Sequence, residues 1–158
     1  MMKQKKLVSG FTLLEVLIAL LVLSVGLLGL AGLQTRGLAT GHNAYLRSQA
    51  VLLAQDMAER IRVNTNYVFS TESSSDNNYS IDYGQDLGSG DCVNNGCNPT
   101  EIASFDVNQW LANIRNTLPS GDGSIAKIGN SYTITIRWDA DGTGDVDEFK
   151  NYVFVVNL

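Results

Sequence analysis

The chain has 158 residues, of which 44% are hydrophobic and 17% charged, and its formal net charge is −5. This length suits one domain plus a membrane anchor, and the acidic balance argues against general nucleic-acid binding, which uses clusters of Lys and Arg. No enzymatic pattern is visible, because His42 is the only histidine and neither a nucleophile–base arrangement nor a phosphate-binding glycine loop accompanies it.

A basic leader, residues 1–10, precedes a long apolar segment. The leader carries Lys3, Lys5 and Lys6, and the 23 residues from Phe11 to Leu33 are apolar apart from a few small or polar ones. As a helix these residues span roughly 34 Å, which exceeds a bilayer core of about 30 Å. A secretory signal is cleaved after a shorter apolar region, whereas the plausible cleavage point here lies before it. We therefore predict a transmembrane helix at residues 11–33.

The sequence of residues 10–19 is Gly-Phe-Thr-Leu-Leu-Glu-Val-Leu-Ile-Ala. Behind a Lys-rich leader, it resembles the class III signal of type IV pilins and pseudopilins. The resemblance implies that prepilin peptidase cleaves between Gly10 and Phe11 and N-methylates the new N-terminal Phe11. It also implies an inner-membrane protein with one span and a periplasmic head, which later moves into a pilus at the cell surface. Loss of the leader would leave 8 basic and 16 acidic side chains, a charge of about −8.

Residues 26–34, 47–50 and 56–64 are similar to minor pilins of the PilV family, also called type IV pilus modification proteins. The similarity covers about the first 64 residues and recurs weakly near Trp138 and Asp139. It implies a minor pilin that takes part in initiation and assembly of type IV pili, which serve motility, adhesion and DNA uptake. The implied partners are other minor pilins, the major pilin, prepilin peptidase, the inner-membrane assembly platform and, before assembly, membrane lipid. The alternatives are a minor pseudopilin of a type II secretion system and a membrane-tethered adhesin or calcium-binding head.

Glu15 is the candidate assembly residue. A carboxylate in a membrane segment is costly, and it lies four residues after the amine that cleavage at Phe11 would create. The resemblance implies that Glu15 of an incoming subunit pairs with the N-terminal amine of a subunit already assembled. The alternative is a carboxylate stabilised by the positive end of its own helix.

Residues 34–66 are predicted to continue the same helix as an amphipathic half. Apolar residues recur at spacings of three and four and indicate one buried face, while Asp56–Arg60 and Glu59–Arg62 are spaced to form ion pairs. Asn64, Thr65 and Asn66 mark the predicted end. Residues 67–158 are then the globular head. The apolar stripe consists of Leu46, Ala50, Leu53, Ala54, Met57, Ala58 and Ile61.

Residues 67–100 are rich in Ser, Asn, Asp and Gly and are predicted to form a long loop, with a short strand at residues 79–83. Because the positive leader stays in the cytoplasm, the head faces an oxidising compartment, and we predict a disulfide between Cys92 and Cys97. The alternative is a pair of free thiols, and a metal site is disfavoured because no second cysteine pair is present.

The remainder of the head is predicted to contain a helix and three strands. The helix covers residues 104–118, with Ser104 or Asp106 as its cap, and the strands cover residues 124–128, 131–138 and 149–157. The predicted fold class is therefore α+β. Its architecture is that of a type IV pilin: a long N-terminal helix against a C-terminal antiparallel sheet, with a disulfide-closed loop.

An acidic stretch between the last two predicted strands suggests a weak calcium candidate. Its oxygen-bearing residues fall on offsets that resemble an EF-hand loop, but Lys150 occupies the place of the bidentate glutamate and no helices flank the stretch. The alternative is an acidic hairpin turn, and no cofactor is predicted otherwise. The candidate ligands are Asp139, Asp141, Thr143, Asp145 and Asp147.

Overall fold

The computed structural model describes residues 10–70, 77–88 and 91–158. The predicted leader, with Lys3, Lys5 and Lys6, and residues 71–76 and 89–90 of the predicted loop lie outside this range. The described chain divides into two units, Met1–His42, described from Gly10, and Asn43–Leu158. Its elements are helices α1 (Leu13–Val63), α2 (Thr65–Ser70) and α3 (Pro99–Thr117), and strands β1 (Asp122–Ile128), β2 (Ser131–Trp138) and β3 (Lys150–Asn157).

Helix α1 is one continuous helix of 51 residues. It is the helix in the described chain that is long and apolar enough to cross a membrane, and none of its most apolar window is buried within the protein. Ser24, Thr35 and Thr40 donate their hydroxyl hydrogens to backbone carbonyls three or four residues earlier. These polar side chains therefore satisfy their donors within the helix, as an apolar environment requires.

From Asn43 onward α1 belongs to the same unit as residues 67–158, and from here on we call the whole unit, residues 43–158, the head. The apolar stripe predicted on this part of α1 is confirmed. Six of the seven predicted residues are buried, and Leu53 is partly buried against them. The two predicted ion pairs also form, with 2.9 Å between Arg60 Nε and Asp56 Oδ2 and a second contact between Arg62 and Glu59. The periodicity therefore identified the face on which the head is built. The buried residues are Leu46, Ala50, Ala54, Met57, Ala58 and Ile61.

The three strands form the predicted antiparallel sheet in the order β1-β2-β3. Gly129, which has a positive φ of 59°, provides the tight turn from β1 to β2. Strand β2 alternates between half-buried and buried residues along its whole length, which is the burial pattern of a strand with one face on a core. Tyr132, Ile134, Ile136 and Trp138 thus face α1 and α3 in one hydrophobic cluster.

Helix α3 begins five residues before its predicted start. Asn98 caps it by accepting hydrogen bonds from the backbone N–H groups of Thr100 and Glu101, and the Glu101 carboxylate accepts from the N–H of Asn98. With Pro99 in the first turn, this is a complete capping box. The prediction that Ser104 or Asp106 caps the helix was wrong, because both lie buried within it.

The segment at residues 67–100 is less irregular than predicted. Helix α2 takes its first residues and α3 its last, and the predicted strand at residues 79–83 is reduced to one antiparallel bridge between Ile81 and Ile125. The predicted Cys92–Cys97 disulfide is present, with 5.2 Å between the two Cα atoms. It ends immediately before Asn98, so the closed ring leads directly into the cap of α3.

Trp110 joins three elements in the core of the head. Its ring on α3 is fully buried, and its Nε1–H donates to the backbone carbonyl of Leu53 on α1 over 2.9 Å. On the opposite side lies Gly123 of β1, where an added Cβ would come within 2.4 Å of the indole ring. Glycine is therefore required at this point of the strand by the space that the indole fills.

Candidate processing and assembly site

The N-terminal site begins with an exposed, non-helical dipeptide. Gly10 and Phe11 precede the helix, and 86% of the Phe11 surface is exposed. Thr12 follows as the helix cap, because its hydroxyl oxygen accepts a hydrogen bond from the backbone N–H of Glu15 over 3.3 Å. The predicted cleavage bond is thus placed outside regular structure, where a peptidase can bind it in an extended form.

Glu15 lies in the first turn of α1, three residues after the Thr12 cap. The spacing Thr-x-x-Glu is that of a capping box, but the carboxylate makes no hydrogen bond or ion pair with any described residue. It is exposed and lies at one end of a shallow groove of about 390 Å³ along the helix, whose other walls include Phe11, Ala19 and Leu23. The site therefore presents an unpaired acid on an apolar surface, beside the positive end of a helix.

A buried polar network in the head was not predicted from the sequence. Arg60 donates to Asp106 over 3.0 Å, and the hydroxyl of Tyr79 donates to the other oxygen of Asp106 over 3.0 Å. Asn64 donates from its amide to the Tyr79 oxygen and to the carbonyl of Pro99. The network links the end of α1 to the start of α3. One indication of this network was present in the sequence, which was the i,i+4 spacing of Asp56 and Arg60. That spacing predicted the exposed partner of Arg60, Asp56, but not its buried partner, Asp106.

Burial and charge change the pKa values in this network. Burial, together with the nearby charge of Asp106, raises the pKa of Tyr79. Burial also raises the pKa of Tyr132, whose hydroxyl accepts from Asn77. For Arg60, burial acts to lower the pKa, but the hydrogen bonds and charges of Asp106 and Asp56 outweigh it and raise the pKa. Burial thus favours the neutral form of both tyrosines, and Asp106 and Asp56 favour the charged form of the arginine.

The acidic stretch between β2 and β3 is an ordered loop rather than a simple hairpin turn. Asp139 is buried, and its carboxylate accepts hydrogen bonds from the backbone N–H groups of Asp141, Gly142 and Gly144. Asp145 caps a short 3-10 helix at Val146–Glu148. Among the residues that the structure describes, no three acidic, histidine or cysteine side chains are grouped so that they could hold a metal ion. The calcium candidates Asp139, Asp141, Thr143, Asp145 and Asp147 therefore gain no support from geometry, and calcium binding stays an untested prediction.

Two family models match this chain over adjoining segments. A model of the prokaryotic N-terminal methylation motif matches residues 5–31, which contain Gly10, Phe11 and Glu15. A model described as type IV pilin Tt1218 matches residues 32–108, which cover the rest of α1, all of α2 and about the first half of α3. These matches support the assignment of this chain to the type IV pilin superfamily. No similar protein of curated function and no similar solved structure was found.

The fold of the described chain agrees with the type IV pilin architecture. A long apolar N-terminal helix, a three-stranded antiparallel sheet and the Cys92–Cys97 disulfide form the predicted α+β fold. Pilins are structural subunits of filaments, and the methylation motif implies processing by prepilin peptidase and assembly with other pilins. Cleavage at Gly10–Phe11, methylation of Phe11 and pairing by Glu15 remain predictions.

Proposed function

We propose that this chain is a minor pilin of the PilV type, which prepilin peptidase cleaves and methylates and which takes part in initiating type IV pilus assembly. The observation that carries the proposal is the combination at the N-terminus of α1. An exposed Phe11 precedes an apolar helix whose first turn holds an acid with no partner in the described chain. An unpaired acid at this depth is costly for an isolated protein, and a neighbouring subunit's N-terminal amine removes that cost.

The mechanism follows from the order of residues. Cleavage between Gly10 and Phe11 removes the three leader lysines and creates a positive amine one helical turn from Glu15. The apolar surface of α1 holds the subunit in the inner membrane until it joins a filament, where other helices replace the lipid. Pairing of Glu15 with the amine of the preceding subunit then fixes the axial register between two helices, because a charged pair in apolar surroundings tolerates little displacement.

We assign to the head the contacts that distinguish a minor pilin from the major pilin. The described residues 82–88 and 91–98, which include the disulfide ring, are exposed or half-buried, and they are richer in Asn, Asp and Gly than the helices and strands of the head. We assign partner contacts with other minor pilins to this segment, and pilus-dependent motility and adhesion to the assembled filament. The initiating role rests on the similarity to the PilV family over the first 64 residues.

A deletion strain of the native host tests the proposal. Sheared surface pili and secreted enzymes are measured together in the parent, the deletion strain and a strain complemented with the wild-type chain. We expect the deletion to reduce surface pili strongly and to leave secretion normal. Lost secretion with intact pili would identify a pseudopilin of a type II secretion system instead, and normal amounts of both would refute a role in assembly.

A further inference from the structure

The head contains a pocket that is separate from the N-terminal site. It has a volume of about 360 Å³ and is lined by the start of the head's part of α1 and by the loop and strand that follow β2. Trp138 and Phe149 provide aromatic walls, Arg47 and Lys150 provide cations, and Asn43 and Asn151 provide amides. The lining contains no carboxylate, although the chain as a whole has more acidic than basic side chains.

The two cations of this pocket are basic side chains of the head that form no ion pair with a described residue. Residues 43–158 contain seven basic side chains, and four of them form ion pairs: Arg60, Arg62, Arg115 and Arg137. Lys127 donates to the carbonyl of Val68. The remaining two, Arg47 and Lys150, make no ion pair or hydrogen bond with a described residue, and both line this pocket. Two cations without an ion pair therefore line one concavity and can attract a carboxylate there, although the acidic loop at residues 139–148 adjoins it.

We propose that this pocket binds an acidic side chain, Glu or Asp, of a neighbouring filament subunit. A carboxylate can pair with the guanidinium of Arg47 and the ammonium of Lys150, while the methylenes that carry it pack on the ring of Phe149. The two amides add neutral donors beside the cations. The inference rests on the proposed function, because assembly into a filament brings a second subunit's surface to the pocket.

The walls favour a side chain over an inorganic anion. Phe149 is half-buried, so part of its ring forms an apolar wall that a bare phosphate would not use, whereas Trp138 has only 3% of its surface exposed and adds little area. The buried Nε1–H of Trp138 has no hydrogen-bond partner in the described chain, whereas that of Trp110 donates to Leu53. The two indole N–H groups therefore differ in hydrogen bonding, and Trp138 is the tryptophan that lines the pocket.

Binding can be measured on the full chain in detergent micelles by the two indole N–H signals in nuclear magnetic resonance, assigned with Trp138→Phe. We expect a tetraglutamate peptide to shift the Trp138 signal and not the Trp110 signal, with an effect that falls as salt rises. The double variant R47Q/K150Q should bind about tenfold more weakly, since each exposed pair contributes up to about 1 kcal/mol, and R36Q should bind as the wild type does.

Several results would overturn the proposal. These are no shift with tetraglutamate, an equal shift with tetraglutamine, unchanged binding by R47Q/K150Q, or a shift with inorganic phosphate or anionic-lipid micelles but not with the peptide. In cells, R47Q/K150Q should be incorporated less than the wild type and R36Q equally. Normal incorporation of the double variant beside an incorporated wild-type chain would refute only the role of the pocket. Absence of the wild-type chain from filaments would refute the proposed function itself.

Discussion

At the scale of single residues, Glu15 has the clearest expected phenotype. The acid is unpaired in the described chain and lies on a helix surface that is otherwise apolar over its first turns. In the Glu15→Ala variant, cleavage at Gly10 should proceed, because Gly10, Phe11 and Thr12 are unchanged. Incorporation into filaments should fall by about tenfold or more, since a charged pair in apolar surroundings is worth at least about 1.4 kcal/mol.

The measurement is the amount of variant in sheared filaments relative to the processed variant in membranes. Ser24→Ala is the matched control, since it also removes a polar group from the apolar part of α1 but takes only an internal hydrogen bond. Incorporation of Glu15→Ala at the level of Ser24→Ala would show that the carboxylate has no role in assembly.

The raised pKa values of Tyr79 and Tyr132 predict that the head becomes less stable at alkaline pH. Burial raises the pKa of both groups above the value of 10.0 that tyrosine has in an unfolded chain. The folded state therefore keeps protons that the unfolded state loses, so the stabilisation is complete below about pH 10 and declines as pH rises further. Each tyrosine contributes a slope of up to about 1.4 kcal/mol per pH unit in that range.

A spectrophotometric titration of tyrosinate in the full chain measures this effect. We expect Tyr79 and Tyr132 to ionise only at a pH above that of the same chain in denaturant, and Tyr79→Phe to remove one of these late ionisations. A titration in which all six ionise together with the denatured chain would contradict the buried network around Tyr79.

At the scale of elements, the contact between β1 and α3 predicts intolerance to one added methyl group. A Cβ at position 123 would lie 2.4 Å from the Trp110 ring, so Gly123→Ala requires either the strand or the indole to move. The overpacking should lower the free energy of unfolding by roughly 1–3 kcal/mol. Thermal or urea unfolding of the two chains measures the difference.

Gly88→Ala is the control for this variant. Apart from its chain neighbours, no described residue has an atom within 4 Å of a Cβ added there, and its φ is not positive. This substitution should leave stability unchanged within about 0.5 kcal/mol. Equal stability of the two variants would show that the strand can move away from Trp110 at no cost.

The same scale shows why some elements were predictable and others were not. Strand β2 was predicted with its observed bounds, residues 131–138. The regular alternation along this stretch, which is rich in β-branched and aromatic residues, indicates a strand with one buried face. The start of α3 was missed because its first turn has no buried residue to extend the apolar pattern. Its signal was instead the cap, Asn98 and Glu101 around Pro99, in a stretch whose Asn and Pro content resembles a loop. Local capping chemistry there had more weight than hydrophobic periodicity.

At the scale of the whole molecule, the N-terminal motif could be recognised because it is contiguous in sequence, whereas the residues of the network around Asp106 and of the pocket at Arg47 are far apart in sequence. Asp106 is joined to Arg60, 46 positions away, only through the packing of α3 on α1. Lys150 and Arg47 are brought into one pocket by the return of the chain from β2. Long-range partners of this kind depend on the tertiary arrangement, which a single sequence does not record.

The division of the chain predicts that the head folds without the membrane half of α1. Every buried hydrophobic residue of the described chain lies between Leu46 and Val156, and every described residue before Asn43 is exposed. A fragment of residues 43–158 should therefore be soluble and should unfold in one cooperative transition. Circular dichroism and tryptophan fluorescence during urea unfolding measure this. A fragment without a folded baseline would mean that the first 42 residues stabilise the head.

The indole of Trp110 has a consequence for how this protein can diverge. The ring fills the volume that a side chain at Gly123 would need, and its N–H is held by the carbonyl of Leu53 on a third element. A smaller residue at position 110 would leave a void, and a larger residue at position 123 would clash, so each change alone lowers stability. In descendants of this chain the two positions are expected to change together. Although the two positions are thirteen residues apart in sequence, a substitution at one of them is expected to require a compensating substitution at the other.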